Sequence, residues 1–322
     1  MLMRVTMLAI QLAWAWISIH TSVAEELSLP PSPRESVVGD IRYTIAQRGD
    51  SLLDIARAFD IGHDQIILAN PKLNRWVPNI GAGVVIPSLY VLPPGERRGI
   101  VLNLAELRLY FFPPGGKVVH TFPVSIGDYD WSTPQGSTKI VSKHVDPSWH
   151  PPKSIREEHA NEGDELPPII AGGDPDNPLG RFALKLGIPG YLIHGTDQRR
   201  SFGIGMRVSH GCIRLYPEDI EILYSMVPVG TPVRIIDRPV KAGLGDGQLF
   251  LEVHRPFIEE ETSTRDHPDV EAALEELRPY IQAGIDIDPI KVQSVWRRGD
   301  GVPMMVSSEE PHDEEMWTDP DF

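Results

Sequence analysis

The spacing of apolar residues changes twice along this chain. Leu52, Ile55, Ala56 and Phe59 recur at helical spacing just after Asp50 and Ser51, either of which can cap a helix. Ahead of them Tyr43-Thr44-Ile45 reads as a short strand and Arg48-Gly49-Asp50 as a turn. A second helix fits Asp64 to Asn70 and is stopped by Pro71, and Val84-Val85-Ile86-Pro87 reads as a closing strand. The predicted order is β-α-α-β within residues 41–88. From Arg98 the period shortens to two. "GIVLNLAELRLYFFPPGGKVVHTFPVSIG" alternates about Pro113-Pro114-Gly115-Gly116 as a meander would, and "STKIVSKHV", "RFALKLG", "YLIHGT" and "TPVRIID" are further strand candidates. Between them "HPPKSIREEHANEGDELPPIIAGGDPDNPLG" is polar and rich in Pro and Gly, and reads as a long functional insertion, a lid or a substrate wall. One helix is clear after it, Pro217 to Met226, with Ile220, Leu223 and Tyr224 on one face. A further helical stripe, Val270, Ala273, Leu274 and Leu277, lies within Asp269 to Ala283.

The predicted fold is therefore mainly β, a β-sandwich-like domain over residues 98–237 with one helix. A small βααβ module (41–88) precedes it. A Pro/Ser-rich linker (25–40) comes before the module, and an acidic extension, partly helical with a disordered end, occupies 238–322. Composition agrees: 28 Gly and 31 Pro in 322 residues favour a turn-rich protein over a helical bundle. The net charge of −15 argues against a nucleic-acid partner. Residues 256–322 hold 18 acidic and 5 basic side chains, so the body of the protein is nearly neutral and can accept an anionic substrate.

The first residues change the meaning of the rest. Arg4, the apolar run Val5 to Ile19 and the small-x-small Ser22-Val23-Ala24 read as a secretory signal peptide over 1–24 and predict a periplasmic location. An uncleaved membrane anchor is the alternative. In an exported chain structural cysteines come in pairs, yet Cys212 is the only cysteine here. An unpaired exported thiol suggests a nucleophile. A cysteine nucleophile needs a base and oxyanion donors. His194 and His210 are the candidate bases. His194 is preferred, because a base on a neighbouring strand approaches more freely than one two residues away. Gly211 suits a sharp turn that offers the amides of His210, Gly211 and Cys212.

Two resemblances follow. Tyr43, Gly49-Asp50-Ser51-Leu52, Ile55-Ala56, Asn70-Pro71 and Ile86-Pro87 resemble a LysM module, which implies binding to N-acetylglucosamine-containing glycan. The longer "LNRWVPNIGAG" departs from typical members and leaves open a packing module without sugar binding. His194-Gly195-Thr196, with fourteen residues between His194 and Ser209-His210-Gly211-Cys212-Ile213-Arg214-Leu215, resembles the L,D-transpeptidase (YkuD-type) signature. The combination is similar to the periplasmic subgroup that attaches an outer-membrane lipoprotein to peptidoglycan.

That resemblance implies that Cys212 attacks the bond between meso-diaminopimelate and D-Ala of a tetrapeptide stem, and that an amine then takes the acyl group. It implies His194 as proton carrier, oriented by the Gly195 carbonyl, with His210 and Gly211 shaping the oxyanion site. Ser209, Arg214 and Tyr191 are expected on the substrate side. Arg214 stands where other members carry Asn and could pair with a substrate carboxylate. Arg156 and Trp149 are weaker candidates for the cleft wall. No metal or cofactor is expected. The alternatives are hydrolysis of the same thioester (an L,D-carboxypeptidase or thiol amidase) and a non-catalytic peptidoglycan-binding protein.

Overall fold

The computed structural model describes residues 25–197, 200–255 and 270–308. The signal segment read at 1–24 and the end of the acidic extension (309–322) lie outside them.

The chain enters as β1 (Glu25–Ser28) and then forms β2 (Val37–Ile45), α1 (Leu52–Ala58), α2 (His63–Ala69) and β3 (Gly83–Val91). β2 and β3 pair antiparallel along nine residues. Ser51 caps α1: its hydroxyl accepts from the Asp54 amide at 3.1 Å while the Asp54 carboxylate accepts from the Ser51 amide at 3.0 Å. Leu52, Ile55, Ala56, Ile61, Ile66, Val84 and Ile86 make a small core of their own.

Most of the remaining strands join one nine-stranded curled sheet. They are β4 (Gly99–Asn103), β5 (Arg108–Phe112), β6 (Val118–Pro123), β8 (Gly136–Val145), β9 (Phe182–Leu186), β10 (Leu192–His194), β12 (Ile213–Arg214) and β13 (Pro232–Ile236), in the order β1-β6-β5-β4-β13-β8-β9-β10-β12. A short side pair, β7 (Ile126–Gly127) with β11 (Arg207–Ser209), runs parallel beside it. β4, β5 and β6 are covered on both faces, so in "GIVLN" and "RLYFF" every residue is buried where the alternating reading expects one exposed face. Ile100, Leu102, Leu109, Phe111 and Phe122 face the main core. Val101, Tyr110, Phe112 and Val119 face Val38, Tyr90 and Leu92. The helix α4 (Pro217–Met226) drops Ile220 and Leu223 into the main core.

Three expectations change. The segment read as a linker (25–40) carries β1, which pairs with β6 from Glu25↔Thr121 to Ser28↔Val118, and the first residues of β2. Its prolines interrupt it only between the strands, so it is part of the sheet. The polar insertion contains a helix, α3 (Lys153–Asn161), with only Ile155 buried; so thin an apolar face leaves no periodic stripe to read. The C-terminal extension, read as partly helical, is a folded α+β unit over its described residues. β14 (Val240–Gly245), β15 (Gln248–Val253) and β16 (Met304–Met305) form a sheet under α5 (Val270–Gln282) and α6 (Pro289–Arg298). Leu249, Leu251, Val253, Leu277, Val292 and Val295 are its core.

Polar contacts lock these parts together. Lys241 Nζ is buried with Glu106 and the Val91 carbonyl, and lies 2.9 Å from Glu252 Oε1. The Val91 amide donates to Glu252 Oε2 at 2.7 Å, and Tyr110 Oη donates to Glu106 Oε2 at 2.5 Å. Glu106, Glu252 and His254 come close enough to suggest a metal site, but the Lys241 ammonium already supplies the cation. At the other end Arg57 of α1 holds both carboxylate oxygens of Glu218 in α4, at 2.7 and 2.8 Å. The His63 amide donates to the Ile204 carbonyl at 2.8 Å. The chains approach so closely there that a Cβ on Gly62 would fall 2.9 Å from Gly205 Cα.

Candidate active site

β10 and β12 run parallel, with Ile193 opposite Ile213 and His194 opposite Arg214. Both isoleucines are fully buried in the main core. Strand alternation therefore turns Leu192, His194, Cys212 and Arg214 to the other face. The cysteine motif and the distant His-Gly-Thr thus meet across one strand pair, at the end of the sheet.

His194 is buried, and its ring Nδ1 lies 2.6 Å from the Gly195 carbonyl oxygen. An acceptor at that distance places the proton on Nδ1 and leaves the Nε2 lone pair as the basic site. Burial, reinforced by the Arg214 charge, pushes the imidazole down to about 3; the Gly195 and Leu179 backbone pulls weakly the other way. His194 is therefore neutral at pH 7. Cys212 is half-buried, with Sγ 3.8 Å from the Gly190 carbonyl oxygen. Burial raises the thiol, opposed by a hydrogen bond from the Leu192 backbone and by Arg214. The resting pair is a neutral thiol and a neutral imidazole.

The turn before Cys212 is fixed by two hydroxyls. Ser209 Oγ donates to the Cys212 carbonyl at 2.6 Å and accepts from the Gly211 amide at 3.1 Å. Thr133 Oγ1 donates to the Gly211 carbonyl at 2.8 Å and accepts from the Gly127 amide at 2.9 Å. Gly211 has φ +98°, and a Cβ there would strike Tyr191 Cε1 at 2.8 Å, so no side chain fits. The Gly211 amide, expected as an oxyanion donor, is thus engaged by Ser209 Oγ, and the amides of His210 and Cys212 are the other two candidates.

His210 stands apart from this group. Its Nε2 lies 2.9 Å from Glu158 Oε2 on α3, and its ring packs edge-on against Trp131 at 5.4 Å. It ties the insertion to the catalytic turn. Tyr191 packs on Gly211, as a wall residue would. Trp149 pairs its backbone with Ile170, and Arg156 is exposed on α3. Arg214 Nε is buried without a partner. Thr133, Trp131, Glu158 and Leu179 complete the site and were not singled out in the sequence. Thr133 and Gly211 are 78 residues apart, and no local pattern signals such a contact.

Comparison with known proteins places the chain in a family. The family model for the L,D-transpeptidase catalytic domain (YkuD) matches residues 97–235. The chain is 38% identical over 296 residues to the probable L,D-transpeptidase ErfK/SrfK of Salmonella typhimurium, covering 91% of this chain and 94% of that one. It is 39% identical over 259 residues to the probable L,D-transpeptidase YcfS of Escherichia coli, covering 76% and 80%. Among solved structures, the catalytic domain of the E. faecium L,D-transpeptidase aligns over 45% of this chain and all of that one, at 22% identity and a TM-score of 0.34. By its match to the catalytic-domain model and its near full-length identity with these relatives, the chain belongs to the L,D-transpeptidase family.

Proposed function

We propose that this enzyme is an exported L,D-transpeptidase in which Cys212 is the nucleophile and His194 the proton carrier. The observation that supports the assignment is the seam between β10 and β12: it pairs the strand that ends in His194, whose Nδ1 is held by the Gly195 carbonyl, with the strand that follows directly on the half-buried Cys212. His194 Nε2 takes the thiol proton as sulfur attacks the carbonyl carbon between diaminopimelate and D-Ala. Negative charge develops on the carbonyl oxygen, within reach of the His210 and Cys212 amides. The C–N bond breaks, His194 returns its proton to the departing D-Ala amine, and a thioester remains. An amine, from a lipoprotein lysine or the diaminopimelate of a second stem, attacks it and restores the Cys212 thiol.

Arg214 has a place in this scheme. Its guanidinium faces the same side as Cys212 and His194, and its unpartnered Nε suits a donor carboxylate. It also supports the thiolate and holds His194 neutral. The βααβ module is proposed as a LysM that keeps the enzyme on glycan in the periplasm, beside its substrate. Its firm seat on α4 and on Ile204 supports a fixed orientation of that anchor.

Mass spectrometry after incubation with a tetrapeptide stem or a carbapenem tests the chemistry. The protein gains the acyl mass on Cys212, and Cys212→Ala gains none. An unimpaired adduct on that variant would overturn the assignment. Stem-peptide analysis reads the outcome: amide-linked products for transfer, tripeptide alone for hydrolysis.

A further inference from the structure

The direction of the Cys212 amide, a candidate oxyanion donor, is not set by Cys212 itself. The Gly211 carbonyl and the Cys212 N–H are the two ends of one peptide group. That group is planar and trans, since the described residues contain no cis peptide bond. Its C=O and N–H therefore point in opposite directions, and whatever holds the carbonyl aims the amide.

Thr133 is the side chain that holds it. Thr133 Oγ1 donates to the Gly211 carbonyl at 2.8 Å. The hydroxyl is fixed from its other side as well, because the Gly127 amide donates to the same oxygen at 2.9 Å. Thr133 is 5% exposed, so water scarcely competes for either bond. Close packing fixes its place: a Cβ on Gly127 would fall 2.9 Å from Thr133 N and 2.9 Å from Gly211 Cα. Gly127 pairs with Ser209 of β11, so Thr133 is fastened to the strand that leads into the catalytic turn.

The two neighbouring peptides are held by a different group. Ser209 Oγ takes the Gly211 amide and the Cys212 carbonyl, and neither atom belongs to the Gly211–Cys212 peptide. Gly211 sits at φ +98° with no side chain to resist rotation about its own bonds. Without Thr133 the peptide after it is free to turn over. Turned over, it would aim a carbonyl oxygen where the amide stood, and repel the charge that the site must stabilise.

We infer that Thr133 is the positioning residue of the oxyanion site: its hydroxyl, through the Gly211 carbonyl, aims the Cys212 amide at the substrate's carbonyl oxygen. The inference rests on the acyl chemistry proposed above. The same hydrogen bond polarises the peptide, which makes the Cys212 N–H a stronger donor as negative charge develops. The hydroxyl bonds neither sulfur nor imidazole, so its effect is confined to steps that build an oxyanion.

Two reagents on the full chain separate this role from simple packing. A carbapenem acylates Cys212 through an oxyanion. Iodoacetamide alkylates it, sulfur displacing iodide at a saturated carbon, and no oxyanion forms. Thr133→Val keeps the shape and loses the hydroxyl, while Thr133→Ser keeps the hydroxyl. In Thr133→Val the acylation rate at saturating carbapenem is expected to fall roughly 30-fold, somewhat less than the loss on removing an oxyanion donor outright, with the half-saturating concentration little changed. Its alkylation rate, and the pH profile of that rate, stay at wild-type values. Thr133→Ser recovers most of the acylation. Rates are taken per folded molecule, read by circular dichroism. Thr133→Ala, which leaves room for a water in place of the hydroxyl, is the second variant and shows the same split at smaller size. An equal loss toward both reagents, an unchanged acylation rate without the hydroxyl, or a Thr133→Ser protein no faster than Thr133→Ala overturns the inference. A wild-type protein that is alkylated but forms no acyl adduct instead overturns the enzymatic reading.

Discussion

Two buried polar clusters of this protein are built on opposite rules. At the junction with the C-terminal unit every charge is answered: Lys241 by Glu106, Glu252 and the Val91 carbonyl, Glu106 by Asn103 and Tyr110, Glu252 by His254 and the Val91 amide. At the seam of β10 and β12 the polar atoms are left short. Arg214 Nε and Thr196 Oγ1 have no partner, and His194 and Cys212 both sit neutral. A closed network has nothing to offer a ligand and serves to join the parts. An open one is unfavourable until substrate arrives. The difference separates structural from functional burial, although both clusters contain ionisable groups inside one molecule.

The largest effect expected from breaking the contrast lies in the closed cluster. Lys241→Met leaves two carboxylates buried without their cation and should destabilise the fold by about 3–5 kcal/mol, since a half-removed buried pair costs far more than an absent one. Urea unfolding reads this. Adding Glu106→Gln and Glu252→Gln should recover most of the loss, and thioester formation per folded molecule should be unchanged throughout. A Lys241→Met protein of wild-type stability would show that the network holds nothing together.

The open cluster should respond to pH instead. His194 stays neutral down to about pH 3 in the native state, against an ordinary value of 6.5 unfolded. Between those values the unfolded chain binds the proton and the native chain does not, so stability falls as pH drops from about 6.5 toward 3. The full contribution is on the order of 4–5 kcal/mol at about 1.4 kcal/mol per unit. Acid unfolding of His194→Gln should be correspondingly less steep. The rate of thioester formation should show no loss centred near pH 6.5. A limb at that pH would mean that the working imidazole is solvated and ordinary.

The same contrast explains what could be read from the chain. The βααβ order, α4 and the cysteine turn are local, and each is set by spacing or by a cap within a few residues. The approach of the two motifs was legible because they resemble a known spacing, while the pairing of β10 with β12 that brings them alongside came only with the sheet. Arg57 and Glu218 are 161 residues apart, and nothing in either neighbourhood signals the other. β1 was hidden because its four residues include a single apolar one, Leu27, beside prolines. Helix α3 was hidden because a helix that buries one isoleucine needs no stripe. The Gly211 amide looked free as an oxyanion donor until Ser209 Oγ was found on it, a contact two residues away that depends on the turn's conformation.

Helix α3 also supplies the smallest expected effect, and with it the separation of the two histidines. His210 and Glu158 form a half-exposed pair, 2.9 Å apart, of the kind worth at most about 1 kcal/mol. Their contact fastens the insertion to the catalytic turn without touching His194. Glu158→Gln should therefore slow thioester formation by no more than about fivefold and leave its pH dependence in place. Measured beside His194→Ala, which should lose turnover while remaining folded, the comparison is direct. A hundredfold loss in Glu158→Gln together with a moved pH limb would transfer the base from His194 to His210. A small, pH-independent loss keeps Glu158 as an anchor for α3 and leaves the chemistry to the buried ring held by Gly195.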